Sequence, residues 1–304
     1  MHVSVLLHET IELLRIRPDG LYLDATAGGG GHAEAILRRL GAGGRLVVAD
    51  CDPQAVEGVK EKFGNDPRVQ IFHARFSELF EILTEKKLTP VDGMMADLGV
   101  SSLQLADPAR GIGFMPAGGL RQGGTWSRGP LDMRMDPRLS QTADDLIATS
   151  TEKELADLIY QLGGERRSRR LARMIVMSRE KGPLHTTEQL RLIAERALGP
   201  FYRRQKIHPA TRLFLALRIA VNREMEELDS LLESIPKVLR PGGRAAVISF
   251  HSLEDRKVKQ KFLALRTEGW NPVTKKPVTP SVEEIKNNPR SRSAKLRVIE
   301  KSQE

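Results

Sequence analysis

The stretch Leu21-Tyr22-Leu23-Asp24-Ala25-Thr26-Ala27-Gly28-Gly29-Gly30-Gly31-His32 decides the fold. A short apolar run ends in an acid, passes through a glycine cluster and enters His32 to Leu40, where Ala35, Ile36 and Leu40 recur at helical spacing. Strand, tight turn and helix in that order are the opening unit of a doubly wound α/β sheet. The pattern continues downstream. Arg45 to Ala49 reads as a second strand, Asp50-Cys51-Asp52-Pro53 as a turn and helix start, Val69 to Phe72 as a third strand and Val91 to Leu98 as a fourth.

The pattern then breaks. From Asp107 to His208 no segment reads as a strand. Residues 116–127 are glycine-rich and loop-like. Thr151-Glu152-Lys153-Glu154 and Thr186 to Gln189 fit capping boxes, each followed by apolar residues at helical spacing; the second helix is expected to stop at Gly199-Pro200. A long helix is expected over about Pro209 to Glu233. Pro241-Gly242-Gly243 then turns into a strand from Ala245 to Phe250, and a loose tail from Asn271 leads to a last strand, Ala294 to Ile299. The expected architecture is a Rossmann-like doubly wound α/β sheet with an inserted all-helical domain. Its parts are residues 1–105 (first part of the core), 106–209 (inserted substrate-recognition domain) and 210–304 (second part, with a basic tail).

The glycines let a backbone approach a ligand closely, and the helix start behind them offers unpaired N–H groups. Asp50 ends the next strand, where a carboxylate can accept two ribose hydroxyls. Gly28, Gly30 and Ala33 also satisfy the G-x-G-x-x-A dinucleotide pattern. Asp24, however, would repel a pyrophosphate and suits an ammonium, which favours S-adenosylmethionine. Asp97, at the end of the fourth strand, reaches the cleft mouth, where it could orient a substrate amine, cap a turn or hold the cofactor. His251 ends the fifth strand facing the same mouth; it could accept a proton, bind the target base, or be a hydrogen-bonded structural histidine.

The 304 residues carry a net charge of +9, unevenly spread. Residues 1–105 are net −4, 106–209 net +6, 210–236 net −2 and 237–304 net +9. The acidic first third suits a cationic ligand; the basic insertion and tail suit a polyanion such as RNA. Arg166, Arg169, Arg170 and Arg173 fall within about 100° of a helical wheel, as a phosphate-binding face would. Cys51, the single cysteine, sits between acids and reads as structural; with seven histidines it shows no metal-ligand spacing, so no metal is expected. No apolar run approaches the ~20 residues of a membrane span. The start carries His8, Glu9 and Glu12 where a secretory signal would be apolar, so a cytoplasmic protein with no membrane partner is expected. Trp126 could stack on a splayed base or anchor its loop.

Asp24–His32, Asp97–Gln104, Gly129–Asp136, Lys206–Arg212, Ala216–Asn222, Ser249–Arg256 and Asn288–Arg297 together resemble the MraW family, also called RsmH, from His2 almost to the last residues. The resemblance implies a class I methyltransferase that uses S-adenosylmethionine, leaves S-adenosylhomocysteine, and methylates N4 of a cytidine in the decoding centre of 16S rRNA in the small ribosomal subunit. It implies cofactor contacts at Gly30, Gly31, His32, Asp50, Phe76, Asp97 and Gln104. Catalytic roles are expected for Asp97 and His251, and RNA contacts for Asp132, Arg134 and the four arginines. A homodimer is left open. The chain departs from the family pattern in the extra 116–127 loop, at Arg128, where the family usually has an acid, and between Phe262 and Pro272, where the segment is shorter than usual. Two other classes account for part of the sequence: a nicotinamide-dependent oxidoreductase leaves the basic insertion unexplained, and a non-catalytic RNA-binding assembly factor leaves the cofactor loop unexplained.

Overall fold

The computed structural model describes residues 4–114, 127–202 and 207–303. Trp126, Lys206 and nearly all of the 116–127 loop lie outside the described residues. The chain forms two compact units: Met1–Gly99 with Met225–Glu304, and Val100–Glu224.

The first unit is built on a seven-stranded sheet of β1 (Leu21–Asp24), β2 (Arg45–Asp50), β3 (Val69–His73), β4 (Val91–Asp97), β5 (Leu239–Ser249), β6 (Trp270–Pro272) and β7 (Lys295–Lys301), in the order β3-β2-β1-β4-β5-β7-β6. Strands β1 to β5 pair in parallel, while β7 runs antiparallel to both β5 and β6. Both faces are covered, so the strands are nearly continuous apolar runs, with alternate residues serving opposite cores. Leu23, Val47, Met94, Ala96, Ala245 and Val247 face one core, completed by α4 (Phe76–Glu85), α11 (Glu224–Val238) and α12 (Ser252–Leu265). Tyr22, Leu46, Val48, Met95, Ala246 and Ile248 face the other, completed by α1 (Leu7–Leu14), α2 (Gly31–Leu37) and α3 (Pro53–Phe63).

The second unit is helical among its described residues: α5 (Ser102–Ala106), α6 (Ala143–Thr149), α7 (Glu152–Gly163), α8 (Ser168–Arg179), α9 (Thr187–Tyr202) and α10 (Thr211–Asn222). Its only described β pairing is an isolated bridge between Pro130 and Thr186.

The structure differs from the sequence expectations at five points. The long helix over Pro209 to Glu233 is two helices, α10 and α11, broken where Arg223 takes a left-handed conformation with φ 51°. The break places α10 in the inserted unit, so the second part of the core resumes at Met225 and not at residue 210. Helix α9 passes through Gly199-Pro200 and ends at Tyr202. Strand β5 starts at Leu239 and carries Pro241-Gly242-Gly243 within it, beside a register shift between Val91 and Gly93. The tail is more ordered than expected, with β6 and a further helix, α13 (Val282–Asn287), ahead of β7.

Candidate active site

Strand β1 lies between β2 and β4, where the direction of strand addition reverses; ligands of open α/β sheets bind at this point, outside the carboxyl ends of the strands. The register sets three acids around it. Asp24 pairs with Val48 on one side and Met95 on the other, so Asp50 and Asp97 each project two residues, roughly 6–7 Å, beyond it.

The chain leaving β1 is stitched to both neighbours. Ala25 N–H donates to Met95 O, and Ala27 N–H to Ala49 O, each at 2.9 Å. Thr26 Oγ1 accepts Asp97 N–H at 2.7 Å, and Asp24 Oδ1 accepts Thr26 N–H at 3.1 Å. Gly28 and Gly30 have φ of 48° and 80°, a region where a side chain is strained. Gly30 caps α2, and a Cβ there would stand 3.2 Å from the Phe63 ring. Gly30→Ala is therefore expected to cost about 1–2 kcal/mol of stability and to weaken cofactor binding, as read by chemical denaturation and calorimetry. A Cβ at Gly31 would meet Ser4 Oγ at 2.0 Å, so the backbone there also has no room to spare.

Asp50 accepts Gly28 N–H and Asp52 N–H, one on each carboxylate oxygen, both at 2.9 Å. The Cys51 thiol also donates to it, so one ribose hydroxyl can take the lone pair left free and a second can displace the weak thiol donor. Asp97 holds an Oδ1 that is buried and, among the described residues, has no hydrogen-bond partner; Asp24 Oδ2 is in the same position. Burial pushes Asp24, only 1% exposed, up to about 7 and Asp50 up to about 6, with a nearby carboxylate adding to each shift. Asp97 is held well above the usual carboxylate range by burial first, then by the charges of Asp24 and Glu254. The mouth is thus an acidic cradle with unspent acceptors. It attracts a cation and would repel the pyrophosphate of a dinucleotide.

His32 is buried on α2. Its Nε2 donates to Val5 O at 3.1 Å, and its Nδ1 faces Asp97 Oδ2 at 3.8 Å. Phe76 opens α4 half-buried and packs against the first core. His251 caps α12: its Nδ1 accepts Glu254 N–H at 3.4 Å, while Phe250 N–H and His251 N–H donate to Glu254 Oε2. His251 Nε2 lies 3.1 Å from Glu254 Oε1 but outside hydrogen-bonding geometry.

The remaining residues belong to the inserted unit. Gln104 is buried in the capping box of α5, its Oε1 accepting Ser101 N–H at 2.8 Å. Asp132 and Arg134 pair with each other through two hydrogen bonds of 2.8 Å, which lowers the Asp132 carboxyl. Arg166, Arg169 and Arg173 are exposed, whereas Arg170 donates to Ala197 O at 2.8 Å and lies near the Phe201 ring. Sequence reasoning missed two side chains. Thr26 joins Asp24 to the Asp97 backbone, and Glu254 is a buried carboxylate behind His251. The spacing His251-x-x-Glu254 was the available signal, a capping box with histidine as the cap.

Seven strands in this order, with β7 reversed between β5 and β6 and an acid-tipped glycine turn at the switch point, define a class I methyltransferase domain; dinucleotide folds continue in parallel as 3-2-1-4-5-6. Comparison with known proteins narrows the class. The chain belongs to the MraW methylase family, whose family model matches residues 1–302. It is 48% identical over 298 residues to a protein of Sorangium cellulosum named ribosomal RNA small subunit methyltransferase H, covering 97% of this chain and 89% of that one. Relatives of the same name from Solibacter usitatus (47% identical, 99% of each chain) and Desulfotalea psychrophila (43%, covering 99% of this chain and 98% of that one) match over essentially the full length.

Proposed function

We propose that the chain transfers a methyl group from S-adenosylmethionine to N4 of a cytidine in the decoding centre of 16S rRNA, in the small ribosomal subunit. The observation that carries this reading is Asp97, a buried carboxylate with an unspent oxygen at the end of β4, beside the glycine turn. The names of the relatives support an rRNA substrate.

S-adenosylmethionine supplies an electrophilic methyl on a positively charged sulfur. Asp50 would hold the ribose, the Gly28–Gly31 turn and the start of α2 would receive the methionine carboxylate, and Asp24 would face the ammonium. The cytosine must leave its stack to reach the mouth. Its N4 lone pair is delocalised into the ring; Asp97 Oδ1, accepting an N–H, would turn that lone pair toward the methyl, so that the N–C bond forms as the S–C bond breaks and neutral S-adenosylhomocysteine is left. The N4 proton would leave after the new bond forms. Asp97 is better placed to take it than His251, whose Nδ1 lone pair is spent on the α12 cap. Exposed arginines of α8 and the basic tail hold the RNA.

Incubating the protein with tritiated S-adenosylmethionine and hypomethylated small subunits tests the reading. Label on one cytidine, placed at N4 by mass mapping of the RNA, is expected. RNA binding without label transfer would sink the enzymatic reading, and tight NADH binding without S-adenosylhomocysteine binding would sink the cofactor assignment.

The raised carboxyls add a pH prediction. A folded-state value above the unfolded 3.8 means that the ligand-free fold prefers the protonated acid. Its stabilising contribution is complete below the unfolded value and is lost as pH rises through about 6 for Asp50 and about 7 for Asp24. A bound cation needs the ionised form. Affinity for S-adenosylmethionine should therefore fall as pH drops below about 7, approaching about tenfold per unit for each acid. S-adenosylhomocysteine keeps the same ammonium and ribose, so its affinity should fall with a similar slope. Calorimetry from pH 5 to pH 8 checks this, and affinities that do not change with pH would contradict it.

A further inference from the structure

The opposite end of the sheet carries a second polar cavity. It has a volume of about 470 Å³, within the range of small-molecule clefts, and is lined by Arg15, Arg17, Asp92, Arg240, Arg244 and Glu300 among others. Asp92 and Asp97 lie five residues apart on β4, so roughly 17 Å separates this cavity from the acidic mouth. The two are different sites.

Their charges are also opposite. Four guanidinium groups face two carboxylates, and both carboxylates are already engaged. Glu300 is held by the buried Arg244, which also donates to Leu13 O at 2.5 Å. Asp92 accepts Leu21 N–H on one oxygen and is shared by Arg240 at 2.8 Å and Arg17 at 3.3 Å on the other. Two cations on one carboxylate oxygen repel each other unless further negative charge enters. Arg15 makes no side-chain hydrogen bond or ion pair among the described residues; it stands at the left-handed end of α1, with φ 49°. Gly242, with φ 75°, turns β5 past the cavity. The Arg17 and Arg240 side chains are 63% and 40% exposed, so an incoming anion meets them without unfolding anything.

We propose that this arginine cavity binds a phosphate group. Guanidinium forks match phosphate oxygens in pairs, and the two uncompensated positive charges call for a dianion or for adjacent phosphodiesters. The inference does not depend on the methyl-transfer reading, because it rests on the other end of the sheet.

The test compares the full chain with an Arg15→Ala/Arg17→Ala variant and with Arg240→Ala. Binding of S-adenosylhomocysteine at the far mouth should stay unchanged in each, which certifies the fold. Inorganic phosphate is titrated by equilibrium dialysis, and a single-stranded RNA 12-mer over a range of salt. Saturable phosphate binding that weakens about tenfold or more in both variants identifies a free phosphate monoester as the occupant. An RNA salt slope that drops by about 1.4 in the double variant, without saturable binding of free phosphate, identifies an RNA phosphate. Identical phosphate isotherms and identical salt slopes for all three proteins would overturn the proposal.

Discussion

Asp97→Asn is expected to lower the rate of methyl transfer by roughly 10²–10⁴-fold, the usual span for a positioned acid–base group. Affinity for S-adenosylhomocysteine should change little. The substitution keeps size and shape, and the Asp97 N–H to Thr26 Oγ1 bond that joins β4 to the glycine turn does not involve the side chain. What it removes is a carboxylate oxygen that can accept an amine N–H and later its proton. The wild-type rate should also rise with pH through a carboxylate value above the ordinary range, because burial and the neighbouring Asp24 and Glu254 oppose ionisation of Asp97. That rising limb should vanish from the residual activity of the variant. If Asp97 only holds the cofactor, the pattern inverts: affinity falls and the rate at saturating donor survives. Single-turnover kinetics beside calorimetry separates the outcomes.

The second large effect is expected on RNA. Replacing Arg166, Arg169 and Arg173 together by glutamate should lower the dependence of log K on log salt by about 2–3, since each neutralised phosphate contributes about 0.7–0.9. Affinity near 100 mM salt should fall by more than 10²-fold on the same grounds. The three side chains are exposed, and α8 has no acid in its first turn. Arg169 lies in the first turn of α8, where positive charge opposes the helix dipole by about 0.3–1 kcal/mol. Glutamate there should leave the fold as stable or slightly more so, and lost RNA binding could not be blamed on unfolding. Arg170 is left out of the set because it ties α8 to Ala197 O of α9. Filter binding across a salt series, with thermal unfolding as control, decides it; an unchanged slope would remove the inserted unit from the RNA-binding surface.

Much of this arrangement is legible in the sequence. The sheet through β4 announces itself because each strand is an apolar run closed by an acid or a turn, and Asp24, Asp50 and Asp97 stand at those closures. The break between α10 and α11 was not legible, because nothing in Arg223 marks a left-handed residue as a glycine would. β6 has three residues, too few to show a period. In the site, acids at strand ends could be read, but partnerships could not. That Asp132 is spent on Arg134, that Gln104 closes a capping box and that Glu254 occupies His251 are facts of side-chain direction, which spacing alone does not fix.

The interruption of the sheet after Gly99 has a consequence for synthesis. Strand β4 pairs on one side with β1, already made, and on the other with β5, which begins at Leu239. Roughly 140 residues of chain separate the two, so at about 5–20 residues per second β4 waits roughly 7–28 s on the ribosome for its partner. Over that interval an apolar strand with unpaired N–H and C=O groups forms the edge of an incomplete sheet, the kind of edge on which chains join one another wrongly. Nascent chains halted between Glu224 and Leu239 should therefore be the ones most prone to aggregate and most dependent on chaperones.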